Sequence, residues 1–369
     1  MANCNNLFEE FNKEIRLNND RRVILRERRN NLRKRIGNGF NELKQERYFS
    51  ETLNISVDEI LEFQSQGSYV MDTIVNPCRK VDEYDIDDGV YFLGPRSSNR
   101  RPTEQQFHDF IIAAIKKGKG DFIIEKIQDK KTCVRVSYKG ENGDFNYHVD
   151  LPIYYATNIK EPELADSEEG WKVSNPIDFI VWFEDLIQSG FESKFILERK
   201  LYQEEYEQWL NDRRKKDHQL RRIVRYLKAW GDNLSKEMPP GVVMTILAGS
   251  GSNYREHERD DVCLRDTLVN IKNFLQVNGF KCPRPTTPVG EDLFRSYSQA
   301  NKDHFSNELD SFIISANQAI ENPIQKDACL KWQKHLGNRF PCAIAKDEIE
   351  DSKSYAAASI IKSDNSRSA

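Results

Sequence analysis

The sequence predicts an α+β protein in which a mixed β-sheet core lies between a long N-terminal helix and a C-terminal helical domain. Between residues 55 and 155, short β-prone runs alternate with one helical segment, as is typical of a mixed sheet with helices beside it. The chain has no proline from Arg21 to Tyr48, and after Pro176 it is mostly helical. With 369 residues, of which 38% are hydrophobic, it is long enough for about two domains with a sizeable core.

The composition argues against several classes of protein. No stretch approaches the ~20 apolar residues that span a bilayer, so we expect no membrane partner. The first residues, MANCNNLFEEFNKEI, lack the basic start and apolar run of a secretory signal, which predicts a cytoplasmic location. The formal net charge of -4 gives no overall positive field that would attract nucleic acid.

The cysteines predict neither a disulfide framework nor a zinc site. Their number is odd, they are widely spaced, and no CxxC pair or Cys–His cluster has the spacing of zinc ligands. We therefore expect reduced thiols, as is usual in the cytosol. The seven cysteines are Cys4, Cys78, Cys133, Cys263, Cys282, Cys329 and Cys342.

Residues 1–54 are expected to form N-terminal spine helices. Gly37 and Gly39 weaken the helical pattern locally, but apolar residues recur on one face at intervals of 7, 4, 4 and 3. This pattern predicts a long amphipathic helix that covers part of the core. The apolar residues are Leu25, Leu32, Ile36, Phe40 and Leu43.

The remaining surface of that helix is rich in arginine, which has two interpretations. The arginines either bind nucleic acid or a partner, or they form a solvated face that nearby acids balance. The sequence leaves both interpretations open. These arginines are Arg21, Arg22, Arg28, Arg29 and Arg35.

The strand YDIDDGVYF contains the first candidate site residues. Alternation along a strand places Tyr84 and Ile86 on one side and Asp85 and Asp87 together on the other. Two neighbouring carboxylates repel each other unless a cation neutralises them, and Mg²⁺ prefers carboxylate and phosphate oxygens. The pattern therefore indicates a metal site, with an exposed strand edge bearing scattered acids as the alternative.

Two flanking segments favour the metal site. Upstream, Gly67-Ser68 offers a turn at which backbone and hydroxyl groups could bind phosphate. Downstream, the strand FNYHVDLPIYY places His148 and Asp150 on one polar face. Three strand-borne carboxylates can hold two metal ions ~3.5–4 Å apart, and Asp150 could accept the proton of an attacking hydroxyl. His148 either tunes this site or lies at its polar rim.

A basic helix face follows further along the chain. In RRIVRYLKAWGD, the spacing of Arg221, Arg225 and Lys228 places all three on one side of a helix. A cation on that side could clamp a phosphate group. For Arg221 and Arg225, a solvated basic face is the alternative.

The order of these motifs, Gly-Ser, a short helix, Asp-x-Asp and a distant third Asp, resembles the polymerase-β-like nucleotidyltransferase superfamily. The segments QGSYVMDT, YDIDDGVYF and HVDLPIYY are similar to the bacterial cGAS/DncV-like nucleotidyltransferases (the CD-NTases, or SMODS family). The similarity extends over most of residues 55–342. Its later segments are GWKVSNPIDFIVWF, RRIVRYLKAWGD, PPGVVMTILA, PRPTTPVGEDLF and WQKHLGNRFP.

The resemblance implies four regions. The spine of residues 1–54 precedes a nucleotidyltransferase catalytic core of polymerase-β-like fold at residues 55–175. Residues 176–342 would form a helical domain that completes the nucleotide cleft, and residues 343–369 would form a flexible tail. The cleft would bind NTP substrates, ATP among them, with two Mg²⁺ ions and with Mn²⁺ as an alternative metal.

The resemblance also implies roles for individual residues. Lys228 matches a lysine that contacts the donor triphosphate, and Asp292 matches a contact to the acceptor base. The catalytic metal ligands correspond to Asp85, Asp87 and Asp150. The loop under the nucleotide phosphates corresponds to Gln66, Gly67, Ser68 and Tyr69.

The implied activity is the template-independent joining of NTPs into a cyclic di- or trinucleotide second messenger, with release of pyrophosphate. The product would act on a downstream effector in anti-phage defence. A linear oligonucleotide synthase and an inactive nucleotide-binding regulatory module are the alternatives. At Pro239-Pro240-Gly241 relatives often have a serine, so base selectivity is in doubt. The tail ending at Ala369 resembles tails that operon-encoded ubiquitin-like machinery conjugates to targets.

Overall fold

The computed structural model describes residues 1–46, 60–94, 102–156, 161–188, 211–212, 214–234 and 237–346. Three expectations lie wholly or partly outside these residues. They concern the end of the N-terminal region after residue 46, the part of the helical domain at residues 189–210, and the tail after residue 346.

A seven-stranded mixed sheet forms the core of the described chain. Its order is β1-β2-β5-β4-β3, with β6 beside β5 and β7 beside β6. Strands β2 and β5 run parallel, and the other neighbouring pairs run antiparallel. The strands are β1 (Ile60–Gln66), β2 (Tyr84–Leu93), β3 (Lys126–Lys130), β4 (Cys133–Tyr138), β5 (Tyr147–Ala156), β6 (Glu163–Asp166) and β7 (Gly170–Val173). The predicted mixed sheet is confirmed.

Two N-terminal helices, α1 (Asn5–Ile15) and α2 (Asn19–Gln45), precede the sheet. Four of the five apolar residues of the α2 stripe are buried, and Phe40 packs against them. The short helix α3 (Gly67–Val70) follows β1 directly, and α2 packs along α4 (Glu104–Lys117) on one face of the sheet. A Cβ atom at Gly39 would lie less than 3.0 Å from the Ala114 backbone, so this glycine permits the close approach of the two helices.

Three of the α2 arginines are buried, which neither interpretation of the basic helix face predicted. Arg22, Arg28 and Arg29 are buried and point into the protein, where they meet fixed partners. Arg28 donates to the Tyr147 hydroxyl at 3.0 Å, and Arg29 donates to the Ser65 hydroxyl at 2.7 Å. Both partners belong to the sheet. The arginines therefore anchor the helix to the core, and they form neither a solvated face nor a free nucleic-acid surface.

The second half of the chain is helical, as predicted. Its helices are α5 (Pro176–Ile187), α6 (Gln219–Leu234), α7 (Gly241–Gly249), α8 (Asp260–Val277), α9 (Gln299–Glu321) and α10 (Gln325–Leu336). Helix α6 lies at their centre and contacts α7, α8 and α10. Its Trp230 is buried against the rings of Phe305 and Phe312, with centroids 5.9 Å and 5.2 Å away. The proline-rich segment before α9 is an ordered loop. The division at residues 175 and 176 stays a prediction.

The N-terminal helices touch both halves of the described chain. While α2 lies on the sheet, α1 inserts Phe8 between Tyr226 of α6 and Trp332 of α10, with ring centroids 5.1 Å and 5.0 Å away. Edge-to-face contacts of this kind add about 0.5–1.5 kcal/mol each to the burial of the rings. The spine therefore holds the sheet and the helices in one arrangement.

One cysteine pair contradicts the expectation of reduced thiols. Cys329 on α10 and Cys342 form a disulfide, with Cα atoms 5.6 Å apart. The chain turns back after α10 and brings Cys342 beside Cys329, 13 residues earlier in the sequence. The cysteine spacing alone did not indicate this pair. The remaining cysteines are free. Among the described residues, no helix is both long and apolar enough to cross a membrane.

Candidate active site

The parallel pair β2–β5 brings the three predicted acids together. In its register Asp85 lies opposite His148 and Asp87 lies opposite Asp150. Neighbouring strands are about 4.8 Å apart, so these four polar side chains form one cluster on one face of the sheet. On the other face Ile86 and Val149 are fully buried. The alternation that places the acids together is therefore set by the apolar residues between them.

Three side chains of this cluster are close enough to share a cation. One ligand atom each of Asp85, His148 and Asp150 lies within 4.8 Å of the others. Arg135, on the neighbouring strand β4, donates two hydrogen bonds of 2.8 Å to the Asp150 carboxylate. This arginine positions the carboxylate and offsets part of the negative charge of the cluster.

The electrostatics of Asp87 indicate that the cluster is short of positive charge. Burial raises the pKa of Asp87 well above its ordinary value, and the nearby carboxylates of Asp85 and Asp150 raise it further. Lys228 opposes this shift only in part. A bound divalent cation would lower the pKa of Asp87 again, because it favours the ionised carboxylates. Carboxylate oxygens are the ligands that Mg²⁺ prefers, so these residues fit such an ion.

The turn after β1 passes directly beside Asp87. Gly67 has a φ of +67°, and a Cβ atom there would lie less than 3.0 Å from Asp87 Oδ2. Only glycine combines this backbone conformation with this approach. Gln66, Gly67 and Ser68 line the cavity in front of the acids. Tyr69 does not line it; its ring is buried under the Arg214 guanidinium, 4.7 Å from the ring centroid.

Lys228 of α6 reaches the same cavity from the helical side. Its Nζ donates to the carbonyl oxygen and the hydroxyl of Thr73, at 3.0 Å and 3.2 Å. Burial lowers the pKa of Lys228 to about 8, although Asp85, Asp232 and Asp87 act in the opposite direction. The ammonium group thus lies across the cavity from the carboxylates, where a bound anion would be held between the two lobes.

The other two cations of that helix correct the sequence interpretation. Arg221 and Arg225 are buried. Arg221 donates to both oxygens of Glu184 at 2.7 Å and 2.6 Å and to the Met71 carbonyl at 2.5 Å. Arg225 donates to the Asp72 carbonyl at 2.5 Å. They are neither a phosphate clamp nor a solvated face, because they are buried and bind Glu184 and the backbone of the segment after Gly67-Ser68.

The cavity between the two halves has a volume of about 690 Å³, within the range of about 300–1,000 Å³ that is usual for small-molecule sites. Pro239, Pro240 and Gly241 line it, as does Arg284. Asp292 does not. Its carboxylate accepts hydrogen bonds from the backbone N–H groups of Cys282 and Phe294, at 2.9 Å and 3.0 Å. The structure therefore places Asp292 in a turn and not at the cavity.

Sequence reasoning missed several residues that this geometry brings into view. Arg135 could have been found, because the alternation of CVRVSY places it on the polar face of a strand that pairs with β5. Glu83, Thr73 and Asp232 had no such signal, since they lie just outside the strand or across the cavity. The contacts of Glu83 with His148 and of Thr73 with Lys228 join residues 65 and 155 positions apart along the chain, so no local pattern indicates them.

Residues 61–154 match the family model described as "Cyclic GMP-AMP synthase DncV-like, nucleotidyltransferase domain". The chain contains a DncV-like nucleotidyltransferase domain. This domain runs from β1 to β5 and includes the Gly67-Ser68 turn and all three acids. The predicted DncV-like family is thereby confirmed for residues 61–154.

Relatives of the nucleotidyltransferase domain extend the likeness. A cyclic GMP-AMP synthase of Escherichia albertii is 24% identical over 231 residues, 61% of this chain and 44% of that protein. The aligned region thus spans less than half the length of that curated relative. Two Vibrio cholerae DncV structures, one in the GTP-bound form and one in complex with the linear intermediate 5' pppA(3',5')pG, are each 17% identical. Their TM-scores are 0.69 and 0.68, and each likeness covers 92% of this chain and 96% of that chain. These likenesses confirm the predicted fold.

Proposed function

We propose that this protein is a metal-dependent nucleotidyltransferase that joins nucleoside triphosphates into a cyclic di- or trinucleotide and releases pyrophosphate. One observation supports this most strongly. Three acids cluster on adjacent parallel strands, and two of them, Asp85 and Asp87, line a cavity together with the Gly67-Ser68 turn and Lys228. A binding module would need the cavity and the cation, but it would not need three mutually repelling carboxylates.

The carboxylates of Asp85, Asp87 and Asp150 would hold Mg²⁺, with Mn²⁺ as an alternative. When bound, the ion supplies Lewis-acid stabilisation of the phosphate charge and lowers the pKa of the attacking hydroxyl. The metal ion would also counteract the raised pKa of Asp87, because a cation keeps that buried carboxylate ionised.

The residues around the cavity would bind and orient the donor triphosphate. Gly67 and Ser68 offer a backbone turn and a hydroxyl to its phosphate oxygens, and Lys228 would exchange its bonds to Thr73 for a phosphate contact. An anion beside Lys228 also favours the charged ammonium group. Arg135 keeps the Asp150 carboxylate directed at the place where the acceptor hydroxyl would lie.

The proposed reaction is an in-line substitution at the α-phosphorus. A ribose hydroxyl oxygen of the acceptor forms a bond to that phosphorus, and the bond to the bridging oxygen of pyrophosphate breaks. The hydroxyl proton moves to Asp150, and pyrophosphate leaves with the electron pair of the broken bond. A second round, in which the linear product supplies both triphosphate and hydroxyl, closes the ring.

The relatives suggest which nucleotides to test first. One is named a cyclic GMP-AMP synthase, and a Vibrio cholerae DncV structure contains an intermediate made from A and G. We therefore propose ATP and GTP as substrates. The Pro-Pro-Gly segment lines the cavity without a side-chain hydroxyl, so the base preference of this chain can differ from theirs.

The test is incubation with labelled ATP and GTP and a divalent cation, followed by phosphatase treatment and mass spectrometry. We expect a phosphatase-resistant product whose mass equals that of the joined nucleotides without terminal phosphates. A phosphatase-sensitive product would instead identify a linear oligonucleotide synthase. NTP binding without pyrophosphate release, under all metal and NTP combinations, would contradict the enzymatic proposal and favour a regulatory module.

The biological setting completes the proposal. We propose that the product acts on a downstream effector in anti-phage defence, and that the chain is attached through Ala369 to a target by operon-encoded machinery. Ala369 lies outside the residues that the structure describes. Mass spectrometry of the protein co-expressed with its operon should find an isopeptide at Ala369, and unmodified protein throughout would count against the attachment.

A further inference from the structure

We propose that His148 is a direct ligand of the metal, that Glu83 orients its ring, and that the resulting site prefers Mn²⁺ to Mg²⁺. The inference rests on the proposed function, because it concerns the same metal centre. It goes further by adding a nitrogen ligand to the three carboxylates.

The hydrogen bond to Glu83 determines which ring nitrogen of His148 faces the site. His148 Nδ1 lies 2.9 Å from Glu83 Oε2, and the histidine side chain is buried. A carboxylate accepts a hydrogen bond and cannot donate one when ionised, so Nδ1 bears the proton. In a neutral imidazole this leaves a lone pair on Nε2, the atom that faces Asp85 and Asp150.

That Nε2 atom is buried and has no hydrogen-bond partner within the described part of the chain. It lies 4.0 Å from Asp85 Oδ2 and 3.7 Å from Asp150 Oδ2. A buried polar atom without a partner is costly, so its position calls for an explanation. The atom is therefore positioned for a group that binds between it and the two carboxylates.

The separations suit ligands of one ion. Metal–ligand bonds of about 2.0–2.1 Å in octahedral geometry place neighbouring ligand atoms about 3 Å apart and opposite ones about 4 Å apart. The observed 3.7 Å and 4.0 Å exceed the separation of neighbouring ligands by about 1 Å or less, so a small closure around an ion would bring all three atoms into its coordination shell. The arrangement of carboxylate, histidine and metal is also the one in which ligating histidines are usually held, with the second ring nitrogen donating to an acid.

A protonated His148 is the competing explanation, since an imidazolium could neutralise the acids without any metal. Its Nε2–H would then have to donate to Asp85 or Asp150. Both distances exceed the 2.7–3.2 Å that is usual for an N–H···O hydrogen bond. The geometry thus favours an open ligand position over an ion pair.

A nitrogen ligand changes the metal that the site selects. Mg²⁺ takes oxygen ligands and keeps much of its water, whereas imidazole is a ligand for first-row transition metals. Mn²⁺ accepts the same carboxylates in octahedral geometry and tolerates the imidazole as well. We therefore expect Mn²⁺ to bind more tightly than Mg²⁺.

The decisive experiment is pulsed electron paramagnetic resonance of the full chain loaded with Mn²⁺ alone. We expect ¹⁴N modulation from a coordinated imidazole, which becomes a ¹⁵N pattern when the protein is made with ¹⁵N-histidine. His148→Gln should lose the histidine signal, whereas the exposed-site control His257→Gln should keep it. The isotope comparison uses unaltered protein, so it remains decisive even if the His148 variant fails to fold.

Competition between Mn²⁺ and Mg²⁺ provides the second measurement. His148→Gln should lower the Mn²⁺-over-Mg²⁺ preference by about tenfold or more, and Glu83→Gln should weaken Mn²⁺ binding about 10-fold through loss of ring orientation. Bound Mn²⁺ that depends on Asp85 but shows no histidine coupling would overturn this inference and leave the proposed function intact. Mn²⁺ binding unaffected by Asp85→Asn would count against the metal centre itself, and so against both.

Discussion

Gly67 is the residue at which backbone conformation and the chemistry of the site meet. Its positive φ and its approach to Asp87 Oδ2 exclude any side chain. A methyl group there would have to displace the carboxylate, the turn or both. Because reacting groups must be held within a fraction of an ångström, the effect on activity is expected to exceed the effect on folding.

Gly67→Ala is predicted to lower kcat/KM by about 100-fold or more, since misplacement by 1 Å can cost that much. The unfolding free energy should fall by only about 1–3 kcal/mol from backbone strain. The matched control is Gly251→Ala, a position with φ of +57° and nothing within 4 Å of a new Cβ. Steady-state kinetics and denaturant melts check both variants, and equal activity losses in the two would contradict the account.

Lys228 gives the site a pH dependence on the alkaline side. Burial lowers the pKa of Lys228 to about 8, so the free protein loses the ammonium charge as pH rises through that value. KM for NTP is predicted to rise above pH 8, with Lys228→Met showing a high KM at all pH values. Initial rates from pH 6.5 to 9.5 test this. A KM of the wild type that does not change with pH would contradict this role of Lys228.

The same shift has the opposite effect on stability. The folded-state pKa of Lys228 lies below the value near 10.4 expected for an unfolded lysine, so between about pH 8 and pH 10.4 the unfolded chain binds more protons. The contribution of Lys228 therefore becomes less unfavourable as pH rises through this window. If NTP affinity falls above pH 8 while the unfolding free energy does not, the loss of affinity is due to Lys228 and not to general alkaline unfolding.

At the scale of elements, the segment after the Gly67-Ser68 turn is held by cations from three helices. Arg16 lies just after α1, Arg22 lies on α2 and Arg225 lies on α6, and all three meet the fully buried Asp72. Burial alone would raise the pKa of Asp72, but Arg22, Arg225 and Arg16 lower it below its ordinary value. The spine and the helical half thus fix the turn that faces the site.

Asp72→Asn is predicted to lower the unfolding free energy by about 3–5 kcal/mol, because it leaves buried arginines without their counter-charge. The control Glu10→Gln removes an exposed ion pair with Lys13 and should change stability by less than about 1 kcal/mol. Urea denaturation measures both. Because the folded pKa of Asp72 lies below the unfolded value near 4, its contribution is present above that value and falls away at lower pH.

How far the sequence could predict these elements depended on the range of the forces involved. Alternation and helical spacing predicted β2, β4, β5 and the apolar stripe of α2, because each pattern is local and each is enforced by burial. Arg28 binds Tyr147 and Arg225 binds the Asp72 carbonyl, 119 and 153 residues away along the chain, so no local pattern shows that these charges are buried. The same limit hid the contact of His148 with Glu83, 65 residues away.

For the candidate site, strand alternation placed Asp85 with Asp87 and His148 with Asp150, and helical spacing indicated Lys228; the family resemblance then implied their roles. The structure brings the three acids and Lys228 to the cavity or its edge. The assignment of Asp292 to the acceptor base depended on a loop motif alone. A loop has no periodicity to orient a side chain, and here the carboxylate is taken by two backbone N–H groups.

At the scale of the whole molecule, the turn after β1, strand β2 and the helical half line the described cavity, and a disulfide joins α10 to the segment that follows it. Cys329 and Cys342 are joined, and the remaining five cysteines are free. Thiol titration of denatured protein prepared without reductant should therefore find five thiols, and seven after reduction. Seven thiols before reduction would show that the pair is not joined.

Pyrophosphate release by variants of strand β2 tests the central claim most directly. Asp85→Asn and Asp87→Asn remove the charges that face the cavity, whereas Asp88→Asn alters a buried acid on the opposite face that Arg33 and Ser65 bind. With ATP, GTP and Mg²⁺ or Mn²⁺, and below the melting temperature of each variant, we predict release by the wild type and Asp88→Asn only. Release by Asp85→Asn and Asp87→Asn at the wild-type rate would contradict the assignment of these acids to catalysis.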